Sequence, residues 1–98
     1  MKKKFKRILS IVSLTTFLSS VAFASVKVDG GVWSYGGVHN PGDWGAFSNY
    51  YHPSRYHYSE VVRGSDSKAD RKYNYAGKTS YAFLNTKIGE KAYFDYGF

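Results

Sequence analysis

The chain has 98 residues, 14 of them Lys or Arg against seven Asp or Glu, and no cysteine. It has room for one domain, and it excludes disulfides, thiol nucleophiles and cysteine-ligated zinc. The formal charge of +7 is also misleading: five basic residues and no acid fall in residues 1–24, leaving nine against seven, net +2, in residues 25–98 without the basic stripe that a nucleic-acid binder needs.

In chain order, Lys2, Lys3, Lys4, Lys6 and Arg7 form a cationic head, and Ile8 to Phe23 follow without a charge. Ala22-Phe23-Ala24 then fits the small-x-small cleavage rule. This order predicts a helical signal peptide over residues 1–24, handled by the Sec translocon and signal peptidase and cut between Ala24 and Ser25. The alternative, a retained anchor, is weakened by length. The uncharged stretch is 16 residues with six Ser or Thr, short of the roughly 20 mostly apolar residues that span a bilayer. The expected product is a secreted, extracellular domain of residues 25–98 with no stable membrane span. A cut after Gly30-Gly31 is the competing maturation, but double-glycine leaders lack a long apolar segment.

Beyond Ser25 the hydrophobic period is two. Ala92, Phe94, Tyr96 and Phe98 alternate with Lys91, Tyr93, Asp95 and Gly97, and Tyr56, Tyr58, Glu60 and Val62 alternate with His57, Ser59, Val61 and Arg63. Successive strand side chains point to opposite faces, so both segments read as half-buried strands. Turn residues punctuate the chain at Gly30-Gly31, Gly36-Gly37, Asn40 to Asp43, His52 to Ser54, Gly64 to Ser67, Asn74 to Gly77 and Asn85 to Gly89. Between them six strands are predicted, at about 31–36, 44–51, 55–63, 71–75, 79–85 and 90–97. This spacing points to an all-β antiparallel sandwich or barrel. Ser25 to Asp29 reads as a loose arm, and Ser65 to Lys72 is the best helical candidate, too polar to dock firmly.

Catalytic and metal chemistry find little support. His39, His52 and His57 match no zinc spacing, and no Gly-x-Ser-x-Gly elbow occurs. Most acids sit in turn-like positions; Glu60, on a strand face with two tyrosines, is the exception. No enzyme, cofactor or metal is expected. The better lead is aromatic: Val32-Trp33-Ser34-Tyr35, Trp44 and Asn49-Tyr50-Tyr51-His52. Such rings offer a flat apolar body with a polar tip, suited to sugars and membrane interfaces, or they form the core. For Trp33 and Trp44 the two readings are balanced. Tyr50 and Tyr51 are adjacent and face opposite ways, so at least one ring points outward unless a second sheet covers it.

Gly31-Val32-Trp33, Ser48 to His52, Ser59-Glu60-Val61-Val62 and the ending Glu90 to Phe98 together resemble the lactococcin-972-like bacteriocins. The resemblance extends to the layout of leader, absent cysteine and aromatic tail. It implies two three-stranded antiparallel sheets and a secreted antibacterial protein. Such a protein binds the cell-wall precursor lipid II and blocks septum formation in related Gram-positive cells without making pores, and its producer is protected by a dedicated immunity transporter. The chain departs from the family at Asn40-Pro41-Gly42-Asp43, which looks like an insertion, and at Pro53. A lipid-linked, pyrophosphate-bearing target would place Trp33, Tyr35, Tyr50 or Tyr51 against sugars and Arg55, Lys72 or Lys78 against phosphates, with Trp44 and His52 as further binding candidates. A non-toxic carbohydrate- or wall-binding module is the alternative; a small secreted hydrolase has slight support.

Overall fold

The computed structural model describes residues 10–13 and 21–98, with side chains from Ala24 onward. Eight strands run through the described residues, with no helix: β1 (Ser10–Ser13), β2 (Val21–Val28), β3 (Gly31–Asn40), β4 (Asp43–His52), β5 (His57–Arg63), β6 (Ala69–Asn74), β7 (Lys78–Asn85) and β8 (Lys91–Gly97). Two four-stranded antiparallel sheets result, ordered β1-β8-β5-β6 and β2-β3-β4-β7. Strands β3 to β8 are the six expected from alternation, three to a sheet. The fourth strand of each sheet comes from the N-terminal residues.

That addition corrects two expectations. Ser10–Ser13 and Val21–Ala24 are extended rather than helical, paired with the edges of β8 and β3; the rest of the expected signal helix lies outside the described residues. β-branched Ile11, Val12 and Val21 favour that pairing, and it covers edges that would otherwise leave backbone groups unpaired. Ser25 to Val28 are not a loose arm either, since they pair with Ser34 to Gly31. The cause is the Asp29-Gly30 turn, where both residues have positive φ, 52° and 86°. That is the geometry of a two-residue hairpin turn whose twist matches its strands.

Two smaller readings also change. Gly36-Gly37 does not end its strand: both glycines lie in mid-ladder, Gly36 opposite Phe47 and Gly37 opposite Ala46. Ser65 to Lys72 is a turn leading into β6, because Asp70 and Lys72 pair with Val61 and Ser59 of β5.

The core forms where the inner faces meet. Trp33, Ala46, Tyr50, Val61, Ala82, Ala92, Phe94 and Tyr96 are buried, with Val28, Tyr35 and Leu84 packed around them. Each large ring removes roughly 150–250 Å² from water, about 4–6 kcal/mol of transfer energy per ring. Small residues let the sheets approach between the rings. Ser48 pairs with Ala82 and Tyr50 with Ser80, and two serines bridge the sheets: Ser48 Oγ donates to the Asp95 carbonyl (3.0 Å) and Ser59 Oγ to the Ser80 carbonyl (3.1 Å). Rings and serine bridges do the work that disulfides do in many small secreted domains.

Candidate functional site: a tyrosine terrace on the outer face

The nine residues singled out as binding candidates do not share a surface. Trp33 is 1% exposed; its indole Nε1 donates to Ser48 Oγ (2.8 Å), and its ring lies 4.4 Å from Tyr35 and 4.8 Å from Tyr96. Tyr50 is fully buried, and its hydroxyl donates to the Val28 carbonyl (2.9 Å). Burial, reinforced by the Asp29 charge, pushes that phenol up to about 12. Trp33 and Tyr50 are therefore core rings, and Tyr35 packs at the core margin. The adjacent Tyr51 faces outward, as alternation requires.

His52 is corrected in the same way. Its buried ring accepts the backbone N–H groups of Ser54 (3.1 Å) and Arg55 (3.0 Å) at Nδ1. The proton must then sit on Nε2, which donates to the Asp29 carbonyl at 3.0 Å. This imidazole splices the 53–56 loop to the first hairpin turn and offers nothing to a ligand. Arg55 is exposed, with its guanidinium 3.8 Å from the Phe98 ring centre. Lys72 is paired with Asp70 (2.6 Å), Lys78 is exposed at the start of β7, and Trp44 is half-buried at the opposite end, stacked on His39 at 4.4 Å.

The aromatic surface lies elsewhere, on the outward face of β5 and β6. The register places Tyr58 opposite Tyr73 and Glu60 opposite Arg71. Period-two alternation then carries Tyr56, just before β5, and Tyr75, just after β6, onto the same side. Tyr56 and Tyr73 are nearly parallel (11°) with centroids 5.5 Å apart; Tyr75 lies 5.2 Å from Tyr56, and Tyr58 lies 5.5 Å from Tyr73. Tyr56, Tyr73 and Tyr75 remain 52%, 49% and 67% exposed.

One charged pair borders this terrace. The Arg71 guanidinium covers Tyr58 at 4.0 Å, donates to Glu60 (3.0 Å) and reaches the Tyr73 hydroxyl (3.3 Å). Partial burial opposes its charge, but the bonds to Tyr73 and Glu60 outweigh it and hold the guanidinium above its ordinary value. Rings and charges are thus mutually fixed before any ligand arrives, which lowers the ordering cost of binding. Alternation had placed Tyr56, Tyr58 and Glu60 on one face. The missing half, Tyr73 and Tyr75, becomes a neighbour only through the β5–β6 register.

Among the described residues no group of three His, Asp or Glu is arranged to hold a metal ion. The fold and its outer face thus define a class: a small antiparallel β-sandwich without cysteine, carrying a preorganised aromatic surface. A family model described as Bacteriocin (Lactococcin_972) matches residues 29–94, more than half of the chain. The chain belongs to that bacteriocin family. Neither the curated proteins nor the solved structures searched give a match.

Proposed function

We propose that this chain is the exported precursor of a secreted antibacterial protein. Its residues 25–98 bind a cell-wall precursor such as lipid II and block septum and wall synthesis in related Gram-positive bacteria. The observation that carries the reading is the terrace of Tyr56, Tyr73 and Tyr75 on a bacteriocin-family sandwich. Tyrosine rings stack on the apolar faces of sugars at small entropic cost, while Arg71 and Glu60 supply donors and acceptors for hydroxyl and acetamido groups. Arg55, next to Tyr56 in sequence, is the cation for the pyrophosphate, through charge-assisted hydrogen bonds.

Export by the Sec translocon and cleavage between Ala24 and Ser25 belong to this proposal, and the cut would remove β1 and the first half of β2. The cut falls inside β2 and leaves Ser25 to Val28 paired with Ser34 to Gly31. Mass spectrometry of culture supernatant should find Ser25 at the N-terminus; Val32 there would refute this processing. A dedicated immunity transporter in the producer completes the proposal.

The test uses protein recovered from supernatant. Purified lipid II in excess should abolish growth inhibition, and Tyr56→Ala with Tyr75→Ala should lose inhibition without loss of thermal stability. Inhibition untouched by either treatment overturns the target and the terrace together. Wall binding without arrest on any strain favours a non-toxic wall-binding module instead.

A further inference from the structure

Beside the Tyr56 end of the terrace, two imidazoles converge on one backbone residue. His52 Nδ1 accepts the Arg55 N–H at 3.0 Å, together with the Ser54 N–H at 3.1 Å. His57 Nδ1 lies 2.7 Å from the Arg55 carbonyl. A carbonyl oxygen only accepts, so this nitrogen carries the proton and donates. Arg55 is thus gripped at its N–H by one ring and at its C=O by the other. The rings are 6.3 Å apart; His52 is buried and His57 is wholly closed to solvent. Tyr56 follows directly, with its ring stacked on Tyr73, so the grip on Arg55 sets where that end of the terrace sits.

Both contacts need neutral rings. A second proton on His52 must occupy Nδ1, the lone pair that the two amides share, and it sets N–H against N–H. On His57 it must go to Nε2, a buried atom with no hydrogen-bond partner, where the new charge is desolvated and unpaired. The charged and titratable groups around the rings come from five elements. They are Tyr50 on β4, Asp29 in the first turn, Arg55 in the loop, Lys78 opposite His52 on β7, and Tyr96 on β8, whose hydroxyl donates to Asp29. Asn74, the ladder partner of His57 on β6, is uncharged. Asp29 favours a charge on His52 while Arg55 and Lys78 oppose it. Whichever prevails, a doubly protonated His52 cannot accept the two amides.

We propose that His52 and His57 form a proton-sensitive clasp: uptake of a proton by either ring releases Arg55 and frees the Tyr56 end of the terrace. The contacts are complete with both rings neutral and are lost as pH falls through the imidazole range, about pH 8 to 5. Carboxylates protonate lower, at about pH 4, so the clasp opens before the acid-linked ion pairs do. It follows from the fold. Only what Tyr56 meets rests on the function proposed above, and the test uses no ligand, so either reading can fail alone.

Isotope-labelled protein recovered from supernatant is followed by NMR at about pH 7.5 and about pH 5. At the higher pH the ring spectra should place the proton on Nε2 of His52 and on Nδ1 of His57. On acidification the exchange protection of the Ser54 and Arg55 amides, relative to their intrinsic rates, should fall about tenfold or more. The ring-current displacement of the Tyr56 protons by Tyr73 should shrink with it, while the amides of residues 47–50 in the central strand β4 keep their protection. His52→Asn retains an acceptor oxygen that does not titrate and should remove most of the fall. Unchanged protection and Tyr56 shifts at about pH 5, or a His57 proton on Nε2 at the higher pH, overturns the clasp. An equal loss in residues 47–50, or an undiminished fall in His52→Asn, assigns the change to other groups and overturns it as well. All but the last of these outcomes are read on the unsubstituted protein, whether or not the variant folds.

Discussion

The Tyr96 hydroxyl donates to the Asp29 carboxylate over 2.6 Å, joining β8 to the first hairpin turn across 67 positions of sequence. Bonds to a charged acceptor contribute about 1.5–3 kcal/mol, so Tyr96→Phe should lower unfolding free energy by about 2 kcal/mol in urea titration. Asp29→Asn should cost less, because its amide oxygen still accepts and Asn tolerates the positive φ that Asp29 adopts. An unchanged urea midpoint in Tyr96→Phe would show that the bond contributes nothing.

Two buried phenols give the stability a direction at alkaline pH. Burial raises the Tyr50 hydroxyl from 10.0 to about 12, and burial with the Asp29 bond raises Tyr96 as well. The folded state therefore holds its phenolic protons to higher pH than the unfolded chain does. That stability is complete below pH 10 and is lost as pH rises toward 12. For Tyr50 the amount is on the order of 2 kcal/mol. Urea midpoints should fall steeply between pH 10 and 12, and Tyr50→Phe should flatten the fall despite lowering stability at pH 7.

At the acid end the sign reverses. The Arg63 hydrogen bond holds the Asp66 carboxyl below its ordinary range, and the bonds at Ser65 and Lys87 do the same for Glu90. Their contribution is present above the unfolded carboxylate range and lost as pH falls through the folded values. Both groups are solvent-facing, so salt screens the effect. The melting temperature should decline below about pH 4, less so in 1 M NaCl.

Ser48 accepts from the Trp33 indole and donates across the sandwich to the Asp95 carbonyl. Ser48→Ala leaves a buried indole N–H unpaired and should cost about 1–3 kcal/mol, read as a drop in melting temperature. Ser59→Ala at the second bridge removes a donor to a strand carbonyl without stranding an indole, and should cost less.

His52 makes a different prediction, because its Nδ1 gathers two amide protons in the 53–56 loop. His52→Ala should destabilise the protein and speed proteolysis within residues 53–56. His52→Asn should restore part of the loss, since its side-chain oxygen reaches the same two amides. Equal loop protection in His52→Ala and the unsubstituted protein would remove the splice from the account.

Much of this architecture was legible because strands announce themselves by alternation. Ala92, Phe94 and Tyr96 point inward as the period of two requires, and the Pro41-Gly42 tip closes β3 onto β4 with Asn40 opposite Asp43. Alternation separates the faces of a strand without saying which one a second sheet will cover, so Trp33 and Trp44 read equally as core or surface, and Tyr50 and Tyr51 only as facing opposite ways. The β2 hairpin is hidden in the sequence because Gly30-Gly31 is the more obvious turn signal, whereas the two positive φ values belong to Asp29-Gly30. The terrace was half legible. Tyr58 and Tyr73 are 15 positions apart in sequence, and only the antiparallel register brings them face to face.

The placement of β8 has a consequence for the time course of folding. Ala92, Phe94 and Tyr96 complete the core, and their strand pairs with β5, whose own partner β6 lies on the other side. The core therefore stays open until residues 91–97 have been made. The three-stranded run β2-β3-β4 can assemble early through short hairpins, but it must wait, one face bare, for its lid. Such non-local closure is slow, on the order of milliseconds to seconds. In the export proposed above, this delay would deliver the chain to the far side with its aromatic interior not yet made.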